Sequence, residues 1–192
     1  MRGSLAWPNA THGRRWIAAC LLAMSTASPS SARAGDGFET YGDVMRFALP
    51  AVALGITAAK RDKDGALQLA ATAVPTFGLT YGLKALVHEQ RPDHSGDDSF
   101  PSGHTSSAFL GASYLHYRYG WEYGLPAYAL ATLVAASRVE ADKHHVHDVL
   151  ASVLIANVSA YFLTDPQNDR VFLLPYCDGR KRTFGIVASI RF

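Results

Sequence analysis

Long uncharged stretches separated by short polar loops dominate the chain, and this pattern predicts a series of apolar helices. The first covers about 44–59, is broken by Pro50 and ends in the charged stretch Lys60-Arg61-Asp62-Lys63-Asp64. The second starts near Gly65, bends at Pro75 and carries no charge until Lys84. After a polar loop from Arg91 to Phe100, a third opens at Ser102-Gly103 and runs to about Tyr117. A fourth covers about 123–137, and a fifth begins near His145 and continues through the uncharged stretch 149–164. Beyond Asp165-Pro166 the pattern changes to two short strands, 171–176 and 183–192, around Cys177-Asp178-Gly179-Arg180, which predicts a C-terminal hairpin. The expected fold is all-α, a bundle of about five to six helices with that short β-hairpin at its end.

Uncharged stretches of roughly 15 to 19 residues straddle the boundary between a buried core helix and a membrane span. Their Ala, Gly, Ser and Thr content suits close helix packing in either setting. With the N-terminus outside, five spans put the loop 91–101 and the segment 137–148 together on the outer side, and the charged loop 60–64 inside. A membrane-embedded bundle is the favoured expectation. Arg46 in the first segment and the marginal hydrophobicity keep a soluble form as the alternative.

The N-terminus has the features of an export signal. Arg2, Arg14 and Arg15 precede an apolar run from Trp16 to Met24, and a stretch of small residues leads to Ala32-Arg33-Ala34, a small-x-small cleavage pattern. This divides the chain into a signal peptide (1–34), a helical domain (35–166) and a C-terminal tail (167–192). Export places the protein in the inner membrane with a periplasm-facing site, or in the soluble periplasm. The full chain holds 18 Lys and Arg against 16 Asp and Glu, and cleavage removes four arginines and no acid. The remaining chain is slightly acidic and has no polybasic tract, so nucleic acid is not an expected partner. Only Cys177 survives cleavage, so no internal disulfide can form.

Three polar clusters carry candidate chemistry. Lys84 and Arg91 lie two helical turns apart, and Pro92 is expected to end the helix immediately after Arg91, placing its guanidinium at the loop. Pro101-Ser102-Gly103-His104 reads as a loop entering a helix, with Ser102 as N-cap and Gly103 permitting close backbone approach. Free N–H groups at such an N-terminus receive anions, and His104 sits in that first turn. In the third cluster, Ser137-Arg138 closes a helix, and His144 and Asp148 form an i,i+4 pair. There the carboxylate can accept from Nδ1–H and leave Nε2 nucleophilic, while Lys84, Arg91 and Arg138 neutralise phosphoryl oxygens.

Lys84 with Arg91-Pro92, then Pro101-Ser102-Gly103-His104, then Ser137-Arg138 with His144 and Asp148, match a three-part signature in order and spacing. On these residues the chain resembles the type 2 phosphatidic acid phosphatase superfamily, which includes bacterial acid phosphatases and vanadium haloperoxidases. The resemblance implies that His144 attacks phosphorus, Asp148 orients it and His104 protonates the leaving oxygen. It implies that Lys84, Arg91, Ser102, Gly103 and Arg138 hold the phosphate, and that no cofactor is needed. The expected activity is hydrolysis of a phosphomonoester or diphosphate, favouring a phosphorylated lipid, through a phosphohistidine without metal. The alternatives are a soluble periplasmic acid phosphatase and, from another class, vanadate-dependent halide oxidation.

The run His144-His145-Val146-His147-Asp148 also contains metal-binding residue types. On one continuous helix His145 and His147 point away from His144 and Asp148, so a compact ligand set needs distant partners, and no metal is expected. His88, His94 and His116 read as incidental polar residues, and Glu89, Asp93, Asp97 and Asp98 as shaping the loop.

Overall fold

The computed structural model describes the backbone of residues 34–167, 171–178 and 183–190, and side chains from 37 to 167. The proposed signal segment lies outside the described residues up to residue 33. Five helices follow: α1 Ala34–Ala59, α2 Lys63–Val87, α3 Gly103–Tyr119, α4 Trp121–Glu140 and α5 Val146–Leu163. α3 packs against all the others and forms the centre of the bundle.

Pro50 lies inside a continuous helix, so the break expected there is absent, and Pro75 lies within α2, as expected of a proline that does not end its helix. The C-terminal hairpin expected from the sequence is not supported as an element of this domain. The backbone of 171–178 lies antiparallel to 183–190, but the turn between them and all their side chains fall outside the described residues.

The bundle is built on small residues rather than large ones. Its core contains Ala53, Ala108, Ala112, Ala131, Ala156 and Ala160, around Leu49, Leu115, Val134 and Tyr114. α1 and α3 cross closely at Gly111, where an added Cβ would lie 2.7 Å from the Leu49 carbonyl carbon and 2.8 Å from its oxygen. Only glycine leaves room for that crossing. Buried threonines satisfy themselves within their own helices: Thr57 donates to the Ala53 carbonyl at 2.8 Å and Thr76 to Thr72 at 2.8 Å. Thr80 Oγ1 donates to the Thr76 carbonyl at 2.7 Å and accepts from Ser106 Oγ at 2.8 Å, joining α2 to α3.

The opposite end of the bundle is closed by a buried ion pair. Arg118 Nε and Nη2 each donate at 2.7 Å to a different oxygen of Asp62, a fork-to-fork arrangement. The Asp165 carbonyl and Gln68 take Nη1. Arg118→Met is expected to strand the Asp62 carboxylate and to lower stability by about 3–5 kcal/mol, checked by thermal unfolding of detergent-purified protein. A melting temperature equal to that of the wild type would refute the structural weight given to this pair.

Two segments, Gly37–Ala59 and Val146–Leu163, are long and apolar enough to cross a membrane, and less than a third or about a third of each is buried inside the bundle. Large apolar side chains face outward around the helices, among them Phe47, Leu67, Val74, Leu86, Leu125, Leu154 and Phe162. A water-soluble surface rarely exposes so much contiguous apolar area.

Candidate active site

The helix ends that carry the three clusters meet at one end of the bundle. α2 does not reach Arg91: it stops at Val87, where His88 takes the left-handed conformation at φ 46° and ψ 45°. The expected stop at Pro92 is therefore displaced by four residues, because a left-handed His88 has already turned the chain. Arg91 lies in the loop, and its side chain converges with Lys84 on one acid. Arg91 Nε donates to Asp98 Oδ1 at 2.9 Å and its Nη2 to Oδ2 at 3.2 Å, while Lys84 Nζ donates to the Asp98 carbonyl. Burial opposes ionisation of the Asp98 carboxyl, but its bond to Arg91 and the nearby Lys84 hold it below the usual carboxylate range.

Ser102 caps α3 as the sequence predicts: its Oγ accepts from Thr105 N at 3.4 Å and from Thr105 Oγ1 at 3.1 Å. The same loop is tied to α5, where Ser152 Oγ donates to the Ser102 carbonyl at 2.9 Å. His104 follows in the first turn of α3. Its Nε2 lies 2.9 Å from Asp43 Oδ1 and 3.0 Å from Arg46 Nη1. A protonated Nε2 donates to Asp43, whereas an unprotonated one accepts from Arg46, so the two α1 residues serve the two proton states of one ring nitrogen. Asp43 also accepts from Arg138 Nη1 at 2.9 Å. Arg138 is almost fully buried, and its Nη2 donates to the Glu39 carbonyl at 2.5 Å. Gly42 makes room for it, since a Cβ there would lie 2.6 Å from Arg138 Nη2.

His144 is placed differently from expectation. α5 begins at Val146, so His144 sits in the loop two residues ahead of the helix and shares no helical face with Asp148. Asp148 nevertheless reaches back. Its Oδ2 accepts from Ser99 Oγ at 2.5 Å and from His145 N at 2.8 Å, and stands 3.5 Å from His144 Nδ1. That separation is an ion-pair distance rather than a formed hydrogen bond. Burial pushes the His144 imidazole down to about 4, assisted by Lys84 and opposed by Asp148. The ring is therefore neutral at physiological pH, the state in which a ring nitrogen carries a free lone pair.

A cavity of about 700 Å³ joins these groups. Lys84, Arg91, Gly103, His104, His144 and Arg46 line it together with the apolar residues Phe47, Pro50, Phe77 and Tyr81. Of the residues singled out from the sequence, Ser102, Arg138 and Asp148 do not line it and are buried behind it. Sequence reasoning missed Asp43 and Arg46 as site residues. The available signal was Glu39, Asp43 and Arg46 at i, i+4 and i+7, one charged face on an otherwise apolar helix.

His145 and His147 also depart from expectation. Because the helix starts only at Val146, they do not diverge. Their rings stack at 5.1 Å and 17°, and Glu89 from the α2–α3 loop joins them beside Asp148.

Residues 65–171 match the PAP2 superfamily. The chain is 37% identical over 147 residues to the lipid A 4'-phosphatase of Helicobacter pylori, covering 71% of this chain and 74% of that protein. The fold resembles the crystal structure of Aquifex aeolicus LpxE, with a TM-score of 0.58 at 20% identity over 76% of this chain and 92% of the other. It also resembles the transmembrane PAP2-type phosphatidylglycerolphosphate phosphatase from Bacillus subtilis, with a TM-score of 0.53 at 22% identity over 81% and 85%. Together with the sequence match, these likenesses make the protein a phosphoric ester hydrolase. The chain belongs to the PAP2 superfamily, the type 2 phosphatidic acid phosphatases.

Proposed function

We propose that the protein is an exported, membrane-embedded enzyme that removes phosphate from a lipid through a phosphohistidine on His144, without a catalytic metal. The observation that carries the lipid reading is the mixed lining of the cavity. Cations and histidines line it together with Phe47, Pro50, Phe77 and Tyr81 from α1 and α2. Phe47 and Tyr81 are themselves 63% and 59% exposed on the apolar outer surface, so a lipid can present its head group while its chains stay outside the bundle. The named activity of the Helicobacter pylori relative points to the same substrate class.

In the proposed reaction, Lys84, Arg91 and the α3 N-terminus around Gly103 receive the phosphoryl oxygens. Nδ1 of His144 faces Asp148, which directs Nε2 to phosphorus. The new N–P bond forms as the P–O bond to the lipid breaks, and His104 gives its proton to the departing oxygen. Water then attacks phosphorus, His104 takes its proton, the N–P bond breaks and phosphate leaves. Asp43 supports the protonated His104 and Arg46 the unprotonated one. Arg138 acts from behind, fixing Asp43. With the N-terminus outside, the polar loops would face the periplasm.

A substrate panel tests this reading. Chelator-treated protein in detergent micelles is expected to hydrolyse a phosphorylated glycolipid with kcat/KM about 100-fold above that for p-nitrophenyl phosphate, the soluble ester lacking the apolar contacts. Equal efficiency on both would remove the lipid reading, and full loss after chelation would remove the metal-free mechanism.

A further inference from the structure

Next to His144 in the chain, and outside the set of cavity-lining residues, four side chains from the α2–α3 loop and the start of α5 close on one point. Glu89 Oε1, His145 Nδ1, His147 Nε2 and a carboxylate oxygen of Asp148 all lie within 4.8 Å of one another. We propose that this cluster is a binding site for a divalent transition metal, Zn²⁺ by its ligand chemistry, and that metal bound there slows the phosphatase by engaging Asp148.

The donor spacing supports a metal. Tetrahedral Zn²⁺ with ligands at about 2.0–2.1 Å places them roughly 3.3 Å apart. The separations here are 3.4 Å from His145 Nδ1 to Glu89 Oε1 and 3.1 Å from His147 Nε2 to Asp148 Oδ1, and the other Asp148 oxygen, Oδ2, stands 3.6 Å from His145 Nδ1. The fourth, His147 Nε2 to Glu89 Oε1, is a 2.7 Å hydrogen bond that a metal would replace and open slightly. Two imidazoles and two carboxylates form an N₂O₂ set suited to Zn²⁺ and not to Mg²⁺ or Ca²⁺.

Two polar atoms ask for a partner. His145 Nδ1 and Asp148 Oδ1 are buried and make no hydrogen bond among the described residues. Such orphans are costly unless something satisfies them. The support is already built: Ser99 and the His145 amide hold Asp148 Oδ2, and Phe100 stacks on the His147 ring at 6.1 Å and 29°. His147 is 58% exposed, which leaves a route for the ion from solvent.

The coupling is geometric. Asp148 is shared between the two sites: its Oδ2 stands 3.5 Å from His144 Nδ1 and 3.6 Å from His145 Nδ1, and its Oδ1 stands 3.1 Å from His147 Nε2. A cation on the cluster side draws the carboxylate and its charge away from the ring that Asp148 orients. Neither Glu89, His145 nor His147 lines the phosphate cavity, so the ion does not touch the phosphoryl group.

The test uses the full-length, detergent-purified protein, stripped with chelator and titrated with ZnCl₂ against a chromophoric competitor. One Zn²⁺ per chain is expected, with affinity weakened at least tenfold in Glu89→Gln and in His147→Ala. Wild-type kcat is expected to fall about tenfold as the site fills, while both variants keep basal turnover and resist Zn²⁺. That basal turnover shows that the variants are folded. Affinity unchanged in the variants overturns the site. Wild-type turnover indifferent to a filled site overturns the coupling. Only the coupling rests on the phosphatase reading: protein inactive under every metal condition would sink that reading, and the binding measurement would still decide the site.

Discussion

Replacing His144 with alanine is expected to lower kcat by about 10⁴-fold or more and to abolish the acid-labile phosphoprotein that rapid quenching traps from the wild type. No neighbour can take over. His145 and His147 stack on each other beside Glu89, outside the set of cavity-lining residues, and His104 is held by Asp43 and Arg46 across the cavity. The variant should still bind phosphate, since Lys84 and Arg91 do not depend on the imidazole. Turnover within tenfold of the wild type, or a phosphoprotein formed without His144, would remove it as the nucleophile.

A second large effect is expected at His104. His104→Asn should slow cleavage of a lipid phosphate by about 10²–10⁴-fold, because the alkoxide must then leave without a proton. Formation of the phosphoprotein from p-nitrophenyl phosphate should be much less affected, since nitrophenolate leaves readily. The phosphoprotein should then accumulate, because water attack has lost its base. Equal slowing of the phosphorylation step with both leaving groups would refute the acid role. Asp43→Asn separates positioning from proton transfer: it should show the same leaving-group dependence as His104→Asn in a milder form while leaving His104 in place.

The sequence motifs anticipated much of this site because each is local. Ser102 caps α3 and Gly103 lines the cavity as the spacing predicts, since a helix start is set by the few residues around it. Lys84 and Arg91 converge even though the expected path was wrong, with the turn made by His88 and not by Pro92. A left-handed histidine has no reliable local signature. His144 and Asp148 meet through a loop rather than along a helix, because Asp148 is spent partly on Ser99 and the His145 amide. What stayed hidden depends on tertiary approach. Asp43 and Arg46 belong to a helix with no motif, and Glu89 joins His145 and His147 only once the α2–α3 loop has come against the start of α5. Helix existence was legible from the apolar runs, but the break expected at Pro50 is absent because the helix continues through it.

Asp98 gives the cation pair an internal counter-ion. An incoming anion therefore does not meet bare charge; it has to trade places with a carboxylate already in contact. On the proposed reading, singly charged anions such as chloride would gain little in that exchange and a phosphate ester with two charges and three oxygens would gain more, so the loop would filter against background salt. The same exchange would run in reverse at the end of the cycle. With Asp98 at hand to pair Arg91 as inorganic phosphate departs, the product would leave without two unneutralised cations behind it.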